Sequence, residues 1–173
     1  MRLPAILIFT LLLLTGCTGI PEGLTVVDGF ELPRYLGTWH EIARLDHSFE
    51  RGLSDIRAEY SLREDGGVKV LNSGFDAETQ QRRSAEGKAY FIDGPERGRL
   101  KVSFFGPFYG AYNIIALDKA NYQYAMVAGP DRDYLWILAR TPDLAQPTLD
   151  SLVDQARNLG FATDQLIFAA PRH

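Results

Sequence analysis

Tyr35-Leu36-Gly37-Thr38-Trp39-His40-Glu41-Ile42-Ala43-Arg44 opens the structured part of the chain. Gly37 permits close backbone approach at an entry turn, and Trp39 begins a run that reads as a strand. A single Gly-x-Trp is weak evidence on its own. Two distant stretches strengthen it: Lys101-Val102-Ser103-Phe104-Phe105-Gly106-Pro107-Phe108-Tyr109-Gly110, and Gly129-Pro130-Asp131-Arg132-Asp133-Tyr134-Leu135-Trp136-Ile137-Leu138-Ala139-Arg140. Together they predict a closed antiparallel barrel with Trp39 near its floor and a ligand cavity above.

The rest of the chain supplies the remaining strands. Tyr35 to Leu45 is the first. After a polar stretch over 46–53, read as a long loop across one end, Ile56, Ala58, Tyr60 and Leu62 alternate with Arg57, Glu59 and Ser61. That period of two marks a strand with one wet face. Glu64-Asp65-Gly66-Gly67 reads as a hairpin turn and Val68 to Phe75 as its return strand. Residues 76–83 fit a loop or a helical turn. Strands over 84–92, 99–105, 109–117, 122–128 and 134–139 follow, joined mostly by short turns. Parallel neighbours would need long crossovers, so the eight strands are expected to run antiparallel. The period then changes: Leu149, Leu152, Val153, Ala156 and Leu159 form a helical stripe, with Thr148 as its expected cap and Gly160 as its stop. Leu166-Ile167-Phe168 is a short terminal strand beside the first. The expected fold class is all-β: an eight-stranded antiparallel β-barrel with one C-terminal α-helix packed outside.

Phe30 and Leu32 are expected to plug the narrow end, and residues 18–34 otherwise read as a tether with little to bury. Before that, Leu3 to Leu14 is almost wholly apolar, too short to cross a bilayer core of roughly 30 Å and suited to a secretory signal peptide. Cys17 is the only cysteine among 173 residues, so no internal disulfide is possible. The formal charge of −4 carries no basic excess for nucleic acid.

No catalytic or cofactor motif stands out. His40, His47 and His173 lack metal-ligand spacing, and there is neither a Gly-rich phosphate loop nor a Gly-x-Ser-x-Gly elbow. No metal and no cofactor is expected. Aromatics across the strands are the better signal. Tyr60, Tyr90, Phe104, Tyr112, Tyr134 and Trp136 are candidate lining residues, and composition leaves both a filled core and a small-ligand cavity open. Glu41, Asn72, Arg83, Ser84, Glu86, Lys88 and Asn113 are candidate head-group contacts. Asn72 is retained, and Lys88 is favoured for sharing the parity of Tyr90. Arg140 shares the parity of Tyr134, Trp136 and Leu138. A buried guanidinium needs acceptors and an aromatic face, so Arg140 is expected on Trp39 as a structural pair.

These residues resemble the lipocalins, and within them the bacterial outer-membrane lipoprotein lipocalins. Leu14-Thr15-Gly16-Cys17 resembles the lipoprotein box, whose cysteine is acylated after cleavage on its N-side. Gly37-Thr38-Trp39 is similar to the first lipocalin signature and Arg140 to the third. The second is matched loosely by Asn121-Tyr122 and lacks its usual aspartate. The resemblance implies a signal peptide over 1–16, a lipidated tether over 17–29 with Cys17 as attachment site, and an up-and-down lipid-binding barrel over 30–173. It implies a barrel floor built on Gly37, Trp39 and Arg140, fatty acid or lysophospholipid as ligand, an outer-membrane location facing the periplasm, and a homodimer. The function expected is non-catalytic lipid storage or transport in envelope maintenance. The alternatives are an envelope enzyme or isomerase on a lipophilic substrate, or a structural lipoprotein with a filled barrel.

Overall fold

The computed structural model describes residues 18–169. The signal segment and Cys17 lie outside the described residues. A short helix α1 (Leu32–Tyr35) leads into eight strands: β1 (Gly37–Arg44), β2 (Leu53–Leu62), β3 (Val68–Asp76), β4 (Gln81–Phe91), β5 (Arg99–Phe105), β6 (Phe108–Leu117), β7 (Tyr124–Ala128) and β8 (Leu135–Ala139). Helix α2 (Gln146–Asn158) and the two-residue strand β9 (Ile167–Phe168) follow. Consecutive strands pair antiparallel, and β1 pairs with both β2 and β8, which closes the barrel. Closure leaves no long open edge. Past His40, β1 parts from β2, and β9 takes that edge by pairing with Ala43 and Arg44.

The strands differ from the sequence reading mainly at their ends. Tyr35 belongs to α1, a turn that crosses the barrel floor, and not to β1. Only residues 77–80 form the turn, which Asp76 closes by accepting the N–H groups of Glu78 and Thr79, while 81–83 already pair with β3 as the start of β4. Helix α2 begins at Gln146, two residues before the expected cap, and Thr148 makes no capping hydrogen bond. Pro147 in its first turn explains the start: it lacks an N–H where none is needed and its φ is already helical.

Two apolar layers result. Leu152 and Ala156 of α2 pack with Phe161 against the outer face formed by Ile42, Ala116, Met126, Leu135 and Ile137. The lumen holds the second layer, around Trp39, Tyr35, Tyr60 and Val70. Residues 18–30, most of the tether expected over 18–34, lie along the barrel wall. Leu24 and Val26 are buried, and Val27 exchanges backbone hydrogen bonds with Gly98 and Ile114.

Candidate functional site: the barrel cavity

The floor is built on Trp39. Its side chain has no exposed surface, and its Nε1–H donates to the Tyr35 carbonyl at 2.8 Å. The Arg140 guanidinium sits 4.0 Å over the indole ring and donates to the carbonyls of Arg34, Thr38 and Tyr122. One cation thus ties α1, β1 and the β6–β7 turn together across an aromatic face. Gly37 has φ +94°, which an L side chain rarely adopts, and a Cβ there would lie 3.5 Å from Arg140 Nη1. In the β6–β7 turn, Asp118 accepts from the backbone N–H groups of Asn121 and Gln123.

Above the floor stand three phenols. Tyr112 Oη lies 2.8 Å from both Tyr35 Oη and Tyr60 Oη. Burial pushes all three hydroxyls well above their ordinary pKa, so they remain neutral hydrogen-bonding groups. Around and below them lies a narrow apolar gap lined by Phe30, Leu32, Val68, Ala89 and Leu100. It meets a larger one at Tyr60, Val70, Val102 and Tyr112. The larger space opens to solvent and measures about 630 Å³ with its open mouth counted in. Ile56, Ala58, Phe104, Val127 and Leu138 line its walls.

The charged groups of the cavity lie toward its open end. Glu41, Glu50 and Trp136 line the cavity there. Arg44 Nη1 donates to Glu41 Oε1 at 2.8 Å, and its Nε lies 3.9 Å from Glu50 Oε2. Trp136 Nε1 donates to Glu50 Oε2 at 3.1 Å. His47 Nδ1 lies 3.3 Å from the same oxygen without hydrogen-bond geometry, and the imidazole stacks on Phe49 with centroids 4.3 Å apart. Burial, reinforced by Glu50, raises Glu41 to about 8, so it is mostly protonated at neutral pH. Burial also raises Glu50, and the Trp136 hydrogen bond and Arg44 oppose that. Burial and the Arg44 charge lower His47 to about 4, which keeps it neutral. One arginine among two buried carboxyls is an acid–base cluster on the cavity wall.

A bulge assembles that cluster. Register shifts between Glu41 and Ala43 where β1 meets β8. Simple alternation would put Trp39, Glu41 and Ala43 on one face. The extra residue turns Ala43 outward into the α2 layer and sets Arg44 opposite Trp136. Glu41 was among the polar candidates from sequence, but Arg44, His47 and Glu50 were not, and neither was Tyr35. No sequence signal announces the bulge.

Of the candidate lining residues, Tyr60, Asn72, Phe104, Tyr112 and Trp136 reach the cavity. Tyr134 stacks on His47 at the rim, with centroids 5.8 Å apart. Lys88 and Tyr90 require correction. They face outward on β4, where Lys88 is paired with Lys69 and the Tyr90 hydroxyl donates to Asp65 at 2.8 Å. Gly87 and Ala89 point inward instead, and a Cβ at Gly87 would come 2.8 Å from the Phe104 ring. Small residues on β4 leave the room that Phe104 occupies. Among the other polar candidates, Arg83 pairs with Asp76 and Glu86 with Lys69, Ser84 is exposed, and Asn113 binds the Gly19 and Gly129 carbonyls outside the lumen.

Comparison with known proteins agrees with this geometry. The chain is 53% identical over 162 residues to the outer membrane lipoprotein Blc of Vibrio cholerae, covering 94% of this chain and 95% of that one. It is 53% identical to the Blc lipoprotein of Escherichia coli K12, covering 86% and 83%. Among solved structures, insecticyanin from the tobacco hornworm Manduca sexta superposes with a TM-score of 0.70 at 19% identity, covering 90% of this chain and 88% of that one. The similarity to Blc overturns one expectation, the exclusion of enzymatic activity. That exclusion rested on missing linear motifs, and the Glu41–Arg44–His47–Glu50 cluster is a constellation that no linear motif describes. The lipocalin-like domain family matches residues 30–171, and the chain belongs to that family.

Proposed function

We propose that this protein is an outer-membrane lipoprotein that takes one single-chain lipid, a fatty acid or a lysophospholipid, into its barrel for storage or transport within the envelope. The observation that carries this reading is the shape of the lumen. It is a largely apolar, blind cavity whose floor is sealed by Tyr35, Trp39 and Arg140 and whose charged groups lie toward the open end. An acyl tail entering tail-first would reach Tyr60 and Tyr112 and leave its head group beside Glu41, Glu50 and Trp136. Each methylene so buried contributes about 0.8 kcal/mol. The relatives named outer membrane lipoprotein support the location, and residues 1–16 then act as signal peptide with Cys17 carrying the acyl groups. Residues 17–29 form the link from that anchor to the barrel of residues 30–173.

Calorimetric titration of the delipidated protein with fatty acid and with lysophospholipid tests the reading. Saturable binding of one molecule per chain is expected. No saturable heat for either lipid removes it.

A further inference from the structure

We propose that the outer face of β4 and β5, together with the β5–β6 hairpin tip, docks on an anionic lipid bilayer and sets the cavity mouth at its surface. The inference rests on the acylated-Cys17 reading given above and adds an orientation to it.

The first observation is the hairpin tip. Phe105 and Phe108 are 80% and 78% exposed, the two most exposed large apolar side chains among the described residues. Phe49, on the β1–β2 loop, is 61% exposed and also lines the cavity. Phe104, adjacent to Phe105, points into the same cavity. The tip therefore stands at the mouth. Water-exposed phenylalanines at one end of a stable barrel mark a surface that another apolar phase covers.

The second is charge. The chain is acidic overall, yet three of its four lysines lie on one face. Leu100 and Val102 point into the lumen, so Lys101 points out. Register places Lys69 opposite Lys88, and Tyr90 opposite Lys101. Lys101 Nζ rests 4.8 Å over the Tyr109 ring. The acids that border this face are occupied: Glu86 by Lys69, Asp93 by Arg99, and Asp65 by Arg63 and the Tyr90 hydroxyl. Lys88 and Lys101 join no ion pair among the described residues. Lysines interleaved with tyrosines and bordered by phenylalanines match an anionic membrane interface, where cations meet phosphates and aromatic rings sit among the head groups.

The third is the length of the leash. The Thr18 carbonyl accepts from Arg99 Nη2 at 3.3 Å, and the Gly19 carbonyl from Asn113 Nδ2 at 3.0 Å. Cys17 is one peptide unit beyond, about 3.8 Å along the chain. Acyl groups on Cys17 therefore hold the bilayer against the wall at Arg99, the first residue of β5. Phe105 ends that strand, about 20 Å away at 3.3 Å per residue. Anchor and tip are the two ends of one strand, so a single bilayer surface meets both. A second copy of the chain explains neither the short leash nor the lysines.

The test uses the acylated full-length protein in vesicles. Acylation consumes the thiol of Cys17, so Phe105→Cys supplies the only free thiol for a fluorescent label, and Ser151→Cys, exposed on α2 across the barrel from β4 and β5, supplies a control. Intact mass confirms acylation before the assay. Vesicles are phosphatidylcholine with or without phosphatidylglycerol, and brominated lipids serve as quencher. Quenching at position 105 is expected to be several times that at position 151, to rise with phosphatidylglycerol, and to fall with salt or with Lys88→Glu and Lys101→Glu together. Equal quenching at the two positions overturns the proposal. So does burial of the label at position 105 that depends on protein concentration without vesicles, which identifies a second copy as the occupant. Lysophospholipid titration of the same labelled protein separates the two readings. If binding saturates while position 105 stays unquenched, the docking face is refuted and the cavity reading stands.

Discussion

Replacing Ala58 with phenylalanine tests whether the lumen is real space. Ala58 lies on β2 between Trp39 and Asn72, and its side chain lines the larger cavity. A phenyl ring built there projects into the room assigned to the acyl tail. It displaces about three methylenes of ligand, each worth about 0.8 kcal/mol, or about 2.4 kcal/mol in all. At about 1.4 kcal/mol per decade, the dissociation constant for a long-chain lysophospholipid rises roughly fiftyfold. The same ring in a filled core would overpack it and lower stability by about 1–3 kcal/mol. Calorimetry with lysophospholipids of graded chain length, beside a denaturant melt, reads both quantities. The expected result is wild-type stability, weakened binding of long chains and a smaller penalty for short ones. Unchanged affinity for long chains in a folded variant refutes the placement of the tail, and a strongly destabilised variant refutes the open lumen.

Three further expectations follow from the same contacts. Trp39→Ala removes a fully buried indole, its hydrogen bond to Tyr35 and the face that Arg140 covers, and should cost about 3–5 kcal/mol in a urea melt; a melt within error of wild type contradicts the floor. Tyr112→Phe strands the hydroxyls of Tyr35 and Tyr60 in an apolar setting and should cost about 1–3 kcal/mol, whereas no change would mean that water already serves them. The buried cluster makes a pH prediction. Glu41 is raised from 4.5 to about 8, so unfolding releases its proton within that interval and its contribution to stability declines as pH rises through it. His47 is lowered from 6.5 to about 4, so it acts oppositely, and stability falls as pH drops from 6.5 toward 4. Between pH 6.5 and 8 Glu41 acts without His47, so the melting temperature of wild type should fall more steeply there than that of Glu41→Gln. Parallel profiles would show that Glu41 is ionised throughout.

The strands were legible because alternation survives translation into structure wherever one face is wet. Ile56 to Leu62 and Arg99 to Phe105 are examples. The Trp39–Arg140 contact could be reasoned out because a buried guanidinium has few places to go. Reading failed where side-chain size was taken as a guide to facing. On β4 the large residues Lys88 and Tyr90 face solvent, and Gly87 and Ala89 face the lumen, because the room belongs to Phe104 from the next strand. It failed again at Arg44, where one bulged residue reverses parity and gathers the charged cluster. Residues 18–30 looked like a linker because Thr18, Gly19, Pro21, Glu22 and Gly23 offer little to bury. Leu24, Val26 and a few backbone hydrogen bonds suffice to hold them down.

The most direct measurement of the central claim is a crystal structure of the delipidated protein with a fatty acid carrying bromine at its terminal carbon. Anomalous scattering then reports where the tail ends. A single bromine peak inside the barrel, against Tyr60, Val70 and Tyr112, is the result expected. A vacant lumen with bromine only on the outer surface would contradict it.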